Sequence, residues 1–186
     1  DWIGKDKVIN HHLEVPYRVL ERQYSFDEDG RKSEDNGSEN MVIHGDNLSA
    51  LKSLLPQYEG KIKCIYIDPP YNTGNEGWVY NDNVNDPQIK KWLGKVVGSE
   101  SEDLSRHDKW LCMMYPRLKL LHRLLADDGV IFISIDDIEV TYLRLIMDEI
   151  FGKSKFIAQF IWKSRNWTRR KNEVVFRIPV GKVTQF

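Results

Sequence analysis

The run Ile62-Lys63-Cys64-Ile65-Tyr66-Ile67 ends abruptly in Asp68-Pro69-Pro70-Tyr71, and few folds accept that combination. β-Branched and aromatic residues fall on both faces of the run, the pattern of a strand covered by helices on each side of a sheet. The two prolines then stop the strand, because neither has an N–H to give a neighbour and both have a fixed φ. In open α/β sheets the ligand crevice lies beyond the carboxyl ends of the strands. An acid, a rigid turn and an aromatic ring are therefore placed where chemistry occurs.

Those residue types suit methylation of the exocyclic amine of a base. The amine lone pair is delocalised into the ring, and the nitrogen must become more tetrahedral before it can attack a methyl donor. Acceptors aimed at its two hydrogens, the Asp68 carboxylate and the Pro69 carbonyl, favour that state. Pro70 would fix the corner. Tyr71 would offer a flat face to a base flipped out of the duplex, worth roughly 1–3 kcal/mol and comparable to the cost of unstacking. The bland reading of the same letters is a sharp strand stop with a packed tyrosine.

Asp68-Pro69-Pro70-Tyr71 resembles motif IV of the amino-group DNA methyltransferases. The likeness extends through His44-Gly45-Asp46-Asn47-Leu48 before it, and through Arg106-His107-Asp108-Lys109-Trp110 and Ile133-Ser134-Ile135-Asp136-Asp137 after it. In that order these stretches resemble the modification (Mod) subunit of type III restriction-modification systems, from about Trp2 to Trp162. The resemblance implies a β-class enzyme that moves a methyl group from S-adenosylmethionine to N6 of adenine in double-stranded DNA. It also implies a second Mod subunit and a restriction (Res) subunit as partners. Asp68, Pro69, Pro70 and Tyr71 would be the catalytic residues, and Asp46 with Asp68 would contact the cofactor. Tyr71, Asn72, Trp162 and Lys163 would face DNA, the last two standing at the family's motif VIII. Asp46 has a second reading as the N-cap of the leucine-rich helix that follows it. Trp162 likewise has a second reading, as an interfacial residue of an ordinary strand.

The resemblance further implies a Rossmann-like methyltransferase sheet, mostly parallel with helices on both faces and incomplete at the C-terminus. A glycine-rich cofactor turn is missing: no two of the twelve glycines are separated by a single residue. In β-class enzymes that element follows the target-recognition region, C-terminal to motif VIII. The alternative is a catalytically inactive fragment acting as a DNA-binding or restriction-subunit assembly module. Methylation of a protein or RNA amide is weaker, since those relatives usually carry Asn where Asp68 stands. At cytosine N4 enzymes Ser more often occupies that position.

With 186 residues the chain has one domain's worth of sequence. Hydrophobic residues at 41% and charged residues at 30%, with no long apolar segment, describe a protein that stays in the cytoplasm without a membrane partner. Cys64 is expected in a buried strand and Cys112 in a helix, so reduced thiols are expected rather than a disulfide. Neither is placed for the nucleophilic role that cytosine C5 methylation requires. The net charge of −1 does not mark a nucleic-acid binder. Beyond Trp162, however, Lys163, Arg165, Arg169, Arg170, Lys171, Arg177 and Lys182 face only Glu173, a basic stretch suited either to phosphates or to solvent.

Three divisions follow: 1–40 as an N-terminal arm and acidic flexible linker, 41–163 as a partial catalytic domain, and 164–186 as a basic tail or the start of a target-recognition region. In the arm, Pro16 interrupts helix formation, and His11-His12 has no further ligand at metal spacing, so no metal is expected. Ser25–Asn40 reads as a mobile, turn-rich linker and Met41–His44 as a short strand. Leu48, Leu51, Leu54 and Leu55 mark a helix. Asn72–Ser105, anchored by Trp78, Tyr80 and Trp92, reads as a lid, a DNA-contacting flap or an ordered surface loop. A helix is expected over Asp108–Ala126, kinked or broken at Pro116, with its Trp and Met residues in the core. Strands at Val130–Ile135 and Phe156–Trp162 flank a helix from Val140 to Gly152. Strand-helix alternation predicts right-handed parallel crossovers, the last strand being open to an antiparallel direction. A strand-like run Val174–Val180 closes the chain.

Overall fold

The computed structural model describes residues 1–72, 91, 94–96, 106–163 and 172–180. Most of the expected lid or flap, with Trp78, Tyr80 and Trp92, lies outside them. Two short helices, α1 (Lys5–Val8) and α2 (His11–Glu14), are followed by strands β1 (Ser25–Asp27) and β2 (Gly30–Lys32) and helix α3 (Asn47–Tyr58). Strand β3 (Ile62–Ile67), helix α4 (Arg106–Leu124), strand β4 (Leu125–Asp136), helix α5 (Val140–Phe151) and strands β5 (Ala158–Lys163) and β6 (Asn172–Val180) complete the order.

The main sheet runs β3-β4-β6-β5. β3 and β4 are parallel, whereas β6 is antiparallel to both β4 and β5. The expectation of a mostly parallel sheet is therefore corrected to a mixed one. β3, β4 and β5 do share a direction, as their helical crossovers require, but β4 and β5 are left one strand apart. β6 begins nine residues after β5 ends, closer than the dozen or so residues a parallel crossover needs, so it enters that gap antiparallel.

Among the described residues the helices cover one face of the sheet, where cover on both faces was expected. β3, β4 and β5 step across the sheet in one direction, so crossovers of one hand put both connecting helices on one face. Ile65 of β3 and Ile131, Ile133 and Ile135 of β4 turn toward that face and share one buried cluster with Trp110, Leu118, Leu143 and Met147. On the other face Tyr66 is 63% exposed and Cys64, expected to be buried, is exposed. Tyr66 there shares a hydrogen bond with Ser134 across the strand pair (2.8 Å).

Helix α4 continues through Pro116, so the chain does not break there, a break being one of the two outcomes expected. It ends at Leu124 because Leu125 already pairs with Ile62 of β3. The register then shifts before Cys64 meets Val130, and Gly129 fits there by lacking a side chain: a Cβ would stand 2.8 Å from the Ile62 carbonyl oxygen. A second cluster, Val15, Leu48, Leu55, Leu120 and Leu124, joins α3 to α4 and to the N-terminal arm.

That arm is pinned at several points. Trp2 packs on Tyr115, Lys5 pairs with Glu149 (2.9 Å), and the Lys52 ammonium donates to the carbonyls of His12 and Leu13 (2.9 and 3.3 Å). His12 is buried and structural. The segment read as a mobile linker contains a hairpin instead, β1 with β2, whose turn is set by Asp27 accepting from the Asp29 N–H (3.0 Å) and by Gly30 at φ 107. Met41–His44 is not a strand; Val42 is wholly exposed, and no described strand pairs with the segment. Among the described residues no helix is long and apolar enough to cross a membrane.

Candidate active site

Asp68 leaves the end of β3 with its side chain exposed, while Pro69 is buried and Pro70 and Tyr71 are partly buried. Tyr71 packs against the edge of the main core. The corner is held from below by Trp110, whose fully buried indole donates its N–H to the Pro70 carbonyl at 2.7 Å. A buried Trp needs one acceptor, and a proline carbonyl at a strand stop has no ladder partner, so each satisfies the other.

Asn72 follows in the left-handed region at φ 57, where Asn is tolerated better than most residues. It was expected to reach DNA, but it is 1% exposed and its side-chain amide donates to Glu139. The same Glu139 oxygen lies 2.7 Å from Nδ1 of His107, whose ring stacks on Tyr142 at 4.4 Å. Glu139 is fully buried and stands between β4 and α5, where Asp136 accepts the backbone N–H of Ile138 at 3.0 Å. The ends of β3 and β4 are thus joined through side chains at the mouth of the crevice.

Asp46 serves as the N-cap of α3, accepting the Ser49 N–H at 2.8 Å, and its carboxylate remains exposed. α3 is anchored beside it by Arg117, which donates to Asn47 at 2.8 Å. Burial pulls the Arg117 guanidinium down to about 10, and Asp46 opposes that shift. Trp162 and Lys163 lie at the same end of the sheet as Asp68, since Trp162 is opposite Glu173 and Glu173 is opposite Asp136. They are three strands away from β3, roughly 14 Å at the usual spacing. The fold brings them to the same crevice edge without bringing them to the corner. Burial, then Asp108 and Asp6, pushes the Cys112 thiol up to about 12, which makes it inert.

Glu139 and His107 were not singled out from the sequence. His107 stood within a quoted stretch without a role. Glu139 resembled an ordinary helix-start acid, and its only local signal was its place three residues beyond a buried strand that ends in Asp136.

A parallel strand pair whose first member ends in an exposed acid on a proline corner, with an aromatic ring beside it, has the layout of an α/β protein with a ligand crevice at the carboxyl ends of its strands. The DNA methylase family N6_N4_Mtase matches residues 62–179, and the chain belongs to it. Within that family the chain is similar to type III restriction-modification Mod subunits. It is 39% identical over 173 residues to that of EcoP15I from Escherichia coli, covering 88% of this chain and 26% of the relative. It is 42% identical over 168 residues to that of EcoPI from Escherichia phage P1, covering 86% and 26%. The type II methyltransferase M.KpnI of Klebsiella pneumoniae is 35% identical over 153 residues, covering 82% and 34%. The chain thus spans about a quarter of the length of the Mod subunits it matches.

Proposed function

We propose that this chain carries the catalytic corner of a type III modification methyltransferase that methylates N6 of adenine in double-stranded DNA. The observation that carries the reading is the exposed Asp68 carboxylate on a proline corner held at its Pro70 carbonyl by Trp110. The Asp68 carboxylate and the Pro69 carbonyl accept the two amine hydrogens, so the nitrogen lone pair is freed for attack. Tyr71 stacks on the flipped adenine, and Trp162 and Lys163 meet the DNA at the far side of the crevice. After attack the nitrogen is cationic and sheds its proton readily, so no strong base is required.

S-adenosylmethionine supplies an electrophilic methyl group whose bond to sulfur breaks as the bond to nitrogen forms. The residues present suit it: Asp46 and Asp68 offer exposed carboxylates, acceptors for ribose hydroxyls and for an ammonium group. In this reading residues 1–40 are an arm and hairpin that brace the catalytic portion at 41–163, and 164–186 lead on from it, with β6 lying in the same sheet. A second Mod subunit and a Res subunit are the partners, and the place of action is the prokaryotic cytoplasm.

Calorimetric titration of S-adenosylmethionine into the chain, with Asp68→Ala alongside, tests the pocket. Saturable binding that weakens in the variant is expected. Failure of the wild-type chain to bind would count against a cofactor pocket built on Asp46 and Asp68.

A further inference from the structure

The side chains behind the corner bridge strand ends that the corner itself does not touch. Asn72 turns the chain at positive φ immediately after Tyr71 and sends its amide to the buried Glu139 carboxylate. His107, in the first turn of α4, meets the same oxygen and lies flat on Tyr142 of α5. One carboxylate oxygen thereby gathers the exit from β3, the exit from β4 and the start of α4.

We infer that Glu139 is a positioning residue for the Asp68–Tyr71 corner, acting through Asn72, and that Asn72 serves this bridge rather than touching DNA. A buried carboxylate is costly to separate from its donors, so the bridge resists displacement from either side. The φ of Asn72 sets the direction in which the chain leaves Tyr71, and with it where the Tyr71 ring and the Asp68 carboxylate face. Trp110 grips the corner at Pro70 and Glu139 grips it at Asn72, so the corner is clamped at two points. The consequence for catalysis rests on the methyl-transfer reading above; the geometric role does not.

The Trp110 indole hydrogen reports on the corner independently of activity. In the ¹⁵N-labelled full chain, Asn72→Ala removes the amide and disfavours positive φ, and should quicken exchange of that hydrogen at least tenfold. Asn72→Gly accepts positive φ freely and should recover part of the protection. Glu139→Leu, which removes the acceptor at similar size, should reproduce the Asn72→Ala effect; if that variant does not fold, the two Asn72 variants decide. In methyl transfer, Asn72→Ala should lower kcat at least tenfold and leave KM for plasmid DNA within twofold. Unchanged indole exchange in Asn72→Ala overturns the inference, as does a raised KM with unaltered kcat, which would mark Asn72 as a DNA contact. If the wild-type chain transfers no methyl group, the proposed function fails while the indole measurement still decides the positioning role.

Discussion

The Trp110 indole and the Pro70 carbonyl are joined at 2.7 Å, tying the core of α4 directly to the corner that ends β3. A fully buried core residue thus also holds the corner that carries Asp68. Trp110→Phe keeps most of the apolar volume and removes the donor. It should cost about 1–3 kcal/mol in urea unfolding and lower methyl transfer more than it lowers affinity for S-adenosylmethionine.

Gly129 lies where β4 crosses the start of β3, and an added Cβ would meet the Ile62 and Ala126 carbonyl oxygens at 2.8 and 2.9 Å. Backbone atoms cannot swing aside as a side-chain end can. Gly129→Ala should destabilise by roughly 1–3 kcal/mol as an overpacked site, read as a lower thermal midpoint. An unchanged midpoint would mean that the β3/β4 junction is looser than described.

Asp46 separates capping from cofactor binding. Asp46→Ser keeps a capping oxygen for Ser49, whereas Asp46→Ala removes it and should cost about 0.5–2 kcal/mol. If the carboxylate also contacts S-adenosylmethionine, both variants should weaken binding in calorimetry although only the alanine loses stability. Full binding by Asp46→Ser would leave Asp46 as a cap alone.

Burial, then Lys119, Lys52 and Arg123, lowers the His12 pKa from 6.5 to about 4. Burial and Lys119 move His122 in the same direction. The unfolded chain takes up protons near pH 6.5, whereas the native chain holds the His12 imidazole neutral down to about pH 4. Stability is therefore complete above about pH 6.5 and declines as the pH falls toward 4. Between pH 7.5 and 5 the loss from His12 should be on the order of 1–2 kcal/mol, measured by urea unfolding. His12→Gln should flatten the slope, and an equally steep slope in that variant would exclude His12 as its source.

The fold was legible where periodicity and covalent restriction agreed. β3 with its proline stop, the leucine face of α3 and the helical spacing of Val140–Phe151 all stand where the side chains predict. What misled was physics that single segments do not carry. Pro116 did not break α4 because the helix is packed along its length. Met41–His44 had strand composition but no ladder to join. The open face at Cys64 and Tyr66 followed from the order in which strands assemble, which alternation alone does not specify. At the candidate site, Asp68 and Tyr71 could be chosen by chemical type. Glu139 could not, because its importance comes from meeting Asn72 and His107 across long stretches of chain.

The most direct test of the account is methyl transfer from labelled S-adenosylmethionine to adenine-containing duplex DNA, comparing the chain with Asp68→Ala and identifying the product nucleoside. The account predicts N6-methyladenine from the wild type. It also predicts at least a thousandfold slower transfer in Asp68→Ala, an exposed site whose loss leaves thermal unfolding unchanged. Retained turnover in Asp68→Ala, or methylation at cytosine, would contradict it.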